Sequence, residues 1–218
     1  MVIYSQKDIK VKVNEGQICC SSISVDYSAD MQPNFDIKSA QSFATTANTQ
    51  AKGSVSLSYF YTGNDSIMDQ IYDYNKSAKI DIAGMVISSG HLSSYSVNFT
   101  NNSKIKVDAR LNFYQQVEGA LDTNSAQSVV YPEDLELINS STATFEGGNY
   151  VSQDSILDIK YTYNNRLDPS WLVGESAPSN VVKGPRKVEC TVNLYNYDLS
   201  LPHSGLKESF KINLTNKN

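Results

Sequence analysis

The sequence predicts a mainly β fold of α+β type: two tandem units, each a β-sandwich or partly open barrel, the first flanked by a short helix. Three observations carry that expectation. Apolar and polar residues alternate with a period of two along most of the chain. One segment switches to i, i+4 spacing. The order of the first half then returns, trimmed, in the second.

Ile9, Val11 and Val13 alternate with Lys10, Lys12 and Asn14, and Ile23, Val25 and Tyr27 alternate with Ser24, Asp26 and Ser28. Val55, Leu57, Tyr59 and Tyr61 follow the same rule. So do Ile105, Val107, Ala109, Leu111 and Phe113 against Lys106, Asp108, Arg110 and Asn112. Such runs, rich in β-branched and aromatic types, read as half-buried strands with one face polar. Between them, Ile67–Ile71 and Met68–Tyr72 are i, i+4 pairs, and Asn64 or Asp65 precedes them as a cap, which predicts a helix over 65–75. Two further strands are expected over 79–88 and 92–99. Gly84, Gly90 and Asn101-Asn102-Ser103 stand where they bend or turn.

Residues 119–128 are small and polar without periodicity and are the expected linker between a first unit, 1–118, and a second, 129–218. Beyond it Ile159, Tyr163, Pro169 and Trp171 repeat the spacing of Ile23, Tyr27, Pro33 and Phe35 at a constant offset of 136. Val55-x-Leu57-x-Tyr59 matches Cys190-x-Val192-x-Leu194 only if that offset slips by one. The pleat then requires an indel, because a one-residue slip turns every side chain to the opposite face. The second copy has no room for the helix. Each unit leaves open sheet edges, and pairing like units side by side between chains closes a ring.

Composition narrows the function. The 218 residues carry a net charge of −5, and only 19% are charged, below the usual ~25%. Ser, Thr, Asn and Gln supply the polarity, and a basic patch for nucleic acid is not evident. Cys19, Cys20 and Cys190 form neither a disulfide framework nor a zinc pattern. His91 and His203 read as solvated or locally hydrogen-bonded. Asp26, Asp108 and Asp158 read as outer-face carboxylates, and the Asn-x-Ser/Thr triplets follow from composition. Nucleophile-elbow, metalloprotease, phosphate-loop and dinucleotide motifs are missing, so no enzyme activity, cofactor or metal is expected. The N-terminus lacks an apolar signal region, and no apolar run is long enough to span a membrane.

Three stretches, Gly90-His91-Leu92-Ser93-Ser94-Tyr95-Ser96-Val97, Asn101-Asn102-Ser103 and Ile105 to Tyr114, together resemble the tail tube proteins of tailed bacteriophages. Ser22-Ile23-Ser24-Val25-Asp26-Tyr27, with Pro33 and Phe35 after it, looks like that family's early strand and outgoing loop. The resemblance covers roughly 5–115 and reaches the second half only through the repeat. It implies a tube fold whose core is Ile23, Val25, Tyr27, Val55, Leu57, Tyr95, Val107, Leu111 and Phe113. It implies rings that stack around a channel for duplex DNA, with the polar segment 36–52 (Asp36, Phe43, Thr46, Lys52) as the arm between rings. Its stiffer repeat partner is 174–187. A mildly negative lumen would let DNA pass without the affinity that counterion release confers. Two tandem units imply three chains per ring with pseudo-sixfold symmetry in preference to six chains. Other tail or baseplate proteins are the implied partners, the virion tail is the location, and assembly takes place in the host cytoplasm. A hub or distal tail protein capping the tube at the baseplate is the first alternative. A monomeric β-sandwich binding glycans is the second.

Overall fold

The computed structural model describes residues 11–18, 20–28, 31–35, 42–47, 51–61, 65–73, 76–100, 105–120, 143–146, 156–172, 175, 177–195 and 209–212. In chain order the elements are β1 (Val11–Val13), β2 (Gly16–Ile18), β3 (Cys20–Ser28), β4 (Met31–Phe35), β5 (Ser42–Ala47), β6 (Lys52–Phe60) and α1 (Asp69–Tyr72). There follow β7 (Ala78–Ile82), β8 (Met85–Thr100), β9 (Lys106–Phe113), β10 (Ala143–Glu146), β11 (Ile156–Ser170), β12 (Asn180–Leu194) and β13 (Ser209–Ile212). The expected mainly β architecture is the one the chain adopts.

Nine strands make one antiparallel sheet. Its path runs β2-β1-β7-β8-β9-β6-β3, and β11 with β12 joins at β8. The 16-residue β8 is the hub of the sheet. Along one edge it pairs with β9 and then, through Val86, with Glu118. The other edge is divided between β7, which reaches Gly90, and β11, which begins at Ser94. In the gap between them the Leu92 N–H donates to the Gln70 Oε1 of α1 at 3.1 Å, so a helix side chain supplies the acceptor where no strand does.

Alternation becomes burial wherever neighbours cover the face. One face of the sheet aligns Ile23, Leu57, Ala109, Tyr95 and Tyr163 across five strands, with Val25, Val55, Leu111 and Leu92 in the next row and Tyr59, Val107, Val97 and Tyr161 in another. With Val11, Val13, Ile80, Ile82, Ile87, Ile67 and Ile71 these rows make the core. At ~25 cal/mol per Å² of apolar surface this burial is the main term holding the sheet together. Gly53 lies between Tyr27 and Phe113 in register, and the two rings stack over it at 6.0 Å. A Cβ on Gly53 would come within 2.6 Å of the Asp26 carbonyl oxygen, so the ring pair fills the space a side chain cannot.

Three local expectations are corrected. The helix expected over 65–75 is a turn over 66–68 followed by only four helical residues, because Asp73 is already extended (φ −105°, ψ 101°). The strand expected over 79–88 is a hairpin, turned at Ala83 and Gly84 with φ of 48° and 93°, the pair of left-handed residues that a two-residue hairpin requires. Gly90 does not turn the chain. It lies inside β8, where a Cβ would sit 3.0 Å from Ile80 Cδ1, so close packing accounts for its glycine. Asn101-Asn102-Ser103 lie outside the described residues.

The β3–β6 and β11–β12 ladders can be compared at positions that the expected repeat equates. Ile23 pairs with Leu57 and Ile159 with Val192, the positions that the sequence offsets equate. Pro169 and Gly184-Pro185 fall within β11 and β12. Gly184 and Pro185 sit at the register shift opposite Arg166, where a missing ladder N–H is tolerated. The β11–β12 hairpin adds to the sheet of the first half through β8. Of the expected linker only Gly119 and Ala120 are described.

Candidate functional site

Opposite the core, the sheet from β3 to β12 presents a broad polar face. Ser22, Ser58, Asp108, Ser96, Thr162 and Glu189 form one row across six strands. Ser24, Ser56, Arg110, Ser94, Asn164 and Lys187 form the next. Strand pleat places them together: each alternates with a residue of the opposite face one position away. Charges on this face bond locally. Ser58 Oγ donates to Asp108 Oδ1 at 2.6 Å, with Lys106 Nζ 3.9 Å from the same oxygen. Arg110 Nη2 donates to Ser54 Oγ at 3.1 Å, and Lys187 pairs with Glu189 at 2.7 Å. Asp26, Asp108, Asp158 and Glu189 are offset by Lys106, Arg110, Lys160 and Lys187, so this face is near neutral and hydroxyl-rich, not acidic.

The edges of this face matter as much as its middle. Among the described strands β3 pairs with β6 alone and β12 with β11 alone. Across β3-β6-β9-β8-β11-β12 every neighbouring pair is antiparallel, so with six strands the two end strands run in opposite directions. On β12 the core-side residue Val188 is 54% exposed, and at the far end Tyr27 of β3 is 45% exposed.

Of the expected arm, Asp36 lies outside the described residues, and Phe43 and Thr46 belong to β5. Their strand pairs with β4 from Met31↔Ala47 onward in a separate two-stranded sheet, whose register differs by two from that of the β3–β6 ladder ending at Ser28↔Lys52. Lys52, exposed at the start of β6, holds its Nζ 5.3 Å from the Trp171 ring centroid, a cation–π contact. The nine expected core residues all lie on strands β3, β6, β8 and β9. Val55, Leu57, Tyr95, Val107, Leu111 and Phe113 are buried, while Ile23 and Val25 are half-buried and Tyr27 is exposed because β3 is an edge.

Two polar arrangements were not legible in the sequence beyond single residues. Asp65 is a buried node. Its Oδ1 accepts from Ile67 N at 2.9 Å and Met68 N at 3.3 Å, which caps the turn before α1, while α1 itself begins at Met68 without a side-chain cap. Its Oδ2 accepts from the Tyr59 and Tyr95 hydroxyls at 2.6 and 2.9 Å. Burial first, and the Asp65 carboxylate second, push both phenols far above their ordinary range. The other arrangement is a cleft of ≈ 250 Å³ bounded by Ser89, His91, Tyr114, Gln115 and residues 177–181. His91 bonds Ser89 at 3.2 Å, as a locally hydrogen-bonded histidine should, but it is half-buried. Burial and then Lys183 push its pKa down to about 4. Tyr114 meets Trp171 edge-on at 6.0 Å. Among the described residues no cluster of three metal-ligating side chains occurs, and no helix is long and apolar enough to cross a membrane.

No family model matches the chain, and no curated protein matches it. Among solved structures, a chain from the virion of a native gene transfer agent particle superposes with a TM-score of 0.40 at 9% identity, over 54% of this chain and 99% of that chain. At that score and identity the superposition assigns neither fold nor function.

Proposed function

We propose that this protein is a structural virion subunit, not an enzyme, that self-assembles into stacked rings forming a phage tail tube, the conduit for duplex DNA during ejection. The observation that carries the reading is the six-stranded antiparallel path with one apolar face, one hydroxyl-rich face and, among the described strands, an end strand at either side that pairs along one edge only. Opposed end strands let copies join edge to edge in one direction without breaking the antiparallel order, and a closed ring removes every edge. Of the segments that resemble tail tube proteins, 90–97 on β8 and 105–114 on and beside β9 are neighbours in this sheet, and 22–27 on β3 is separated from β9 by β6.

The hydroxyl face is the wall facing DNA in this reading. Its cations are paired or balanced, so few phosphate counterions would be released and the duplex slides instead of binding. The β4–β5 hairpin, between β3 and β6 in the chain, is the arm to the next ring. The internal repeat favours three chains per ring, each supplying two related units. The partners are then further copies and the other tail or baseplate proteins, and the location is the virion tail, assembled in the host cytoplasm.

Light scattering and negative-stain electron microscopy of the purified protein at high concentration test this. Three-chain rings that stack are the expected result. Rings that never stack would point to a hub at the baseplate, and a monodisperse monomer at every concentration would overturn the reading.

A further inference from the structure

We infer that the ring closes through one particular ladder: β12 of one copy lies antiparallel to β3 of the next, with Asp26 opposite Lys187 of the neighbouring copy. This rests on the ring reading above and adds the edges and the register. Pairing Asp26 with Lys187 sets Val25 opposite Val188, Ser24 opposite Glu189, Ile23 opposite Cys190 and Ser22 opposite Thr191.

Three features of the two strands select this arrangement. The first is direction: β3 and β12 are the end strands of an alternating six-strand path, so a copy placed beside another meets it antiparallel. The second is the face. Ile23 and Val25 belong to the core rows of β3, and Val188 and Cys190 continue those rows through their partners Tyr163 and Tyr161. Joining the strands with apolar opposite apolar covers the exposed Val188, whereas a one-residue slip would set these residues against the polar row.

The third is charge, which separates registers that differ by two. Moving β12 two residues one way sets Asp26 against Glu189, and like charges directly opposite are destabilising. Moving it the other way sets Asp26 against Pro185, which has no N–H to give a ladder, and Val25 against Arg186, whose Nη1 is bonded to the Ile71 carbonyl. Lys187 and Asp26 are both exposed on the polar side, and Lys187 can bridge Glu189 and Asp26 together.

Within the chain, the strand matched to β3 already takes a second partner through the edge in question. β11 occupies the place in the repeat that β3 occupies in the first half, and it pairs with β8 through the edge away from β12. There Tyr163 faces Tyr95 and Tyr161 faces Val97 on the core side, with Thr162 facing Ser96 on the polar side. The corresponding edge of β3, away from β6, is the one assigned to the neighbouring copy.

Cys190 is an exposed free thiol, which makes the register readable by cross-linking. In a Cys19→Ser, Cys20→Ser background Cys190 is the remaining cysteine of three. Adding Ile23→Cys and oxidising assembled rings should give a ladder of covalent multimers on a non-reducing gel, because directly opposed Cβ atoms lie within disulfide reach. Val25→Cys should give almost none. A ladder from Val25→Cys in place of Ile23→Cys overturns the register. Rings with neither cross-link overturn the β3–β12 edge and leave the ring reading standing, whereas a folded chain that forms no ring removes both.

A charge exchange in the natural cysteine background tests the same contact. Asp26→Lys and Lys187→Asp should each raise the concentration needed for rings by roughly fivefold, the effect of like charges placed opposite. The double exchange should restore it. Failure of the double variant to recover would overturn the pairing of Asp26 with Lys187.

Discussion

Asp65→Ala tests the polar node that holds the turn before α1 to the sheet. The carboxylate is 8% exposed and serves four donors, two phenolic hydroxyls and two backbone N–H groups. A hydrogen bond to a charged acceptor is worth about 1.5 kcal/mol or more when its donor is left buried and unpaired, and loss of the cap on the turn before α1 about 1 kcal/mol, by analogy with helix caps. Truncation should therefore cost about 4 kcal/mol, a large part of the 5–15 kcal/mol by which domains are stable. Tyr59→Phe and Tyr95→Phe remove one donor each and should cost about 1.5 kcal/mol apiece. Because both hydroxyls share Oδ2, the double variant should cost less than the two singly combined. Asp65→Asn keeps one acceptor oxygen and should fall between. Urea unfolding at a concentration where the chain is monomeric, followed by the fluorescence of the single Trp171, gives these values. A cost below about 1 kcal/mol for Asp65→Ala, with the unfolding slope unchanged, would refute the idea that this carboxylate holds the turn to the sheet.

Other outcomes follow from the same geometry. His91 has a folded pKa pushed down to about 4 against an ordinary 6.5, so the unfolded chain binds the extra proton between those values. Stability should then fall as pH drops from about 6.5 to 4. After allowance for partial exposure the loss is about 1–2 kcal/mol, and the difference between wild type and His91→Gln across that window measures it. Gly53→Ala drives a methyl into the Asp26 carbonyl and the Phe113 ring and should cost about 2–3 kcal/mol, seen as a lower melting temperature. Arg186→Ala removes the 3.3 Å bond to the Ile71 carbonyl, and faster hydrogen exchange at the end of α1 should report it.

Much of the sheet is legible in the sequence because alternation is a local property. Val107, Ala109, Leu111 and Phe113 announce their buried face within eight residues, and β9 is found there. Ala83 and Gly84 are harder. An alanine in the left-handed region is uncommon, and it is tolerated where the Gly84 N–H donates to Asp81 Oδ1 at 2.9 Å and the β7–β8 ladder closes around it. Asp65 was legible as a cap because a cap is a matter of two or three positions. Its two tyrosines were not, since Tyr95 is thirty residues away and meets it only across the folded sheet.

The sequence by itself determined which residues of β6, β8 and β9 face the core and which face the polar side, and the position of the capped turn. These depend on pleat and spacing within short stretches. Only the tertiary structure decided that β11 adds to β8, that Gln70 fills the gap beside Leu92, and that β3 and β12 end a six-strand path. A strand has two edges that look alike in sequence. Which partner takes each edge is settled by long-range competition for backbone hydrogen bonds and shared apolar cover, and that competition exists only once the chain has folded.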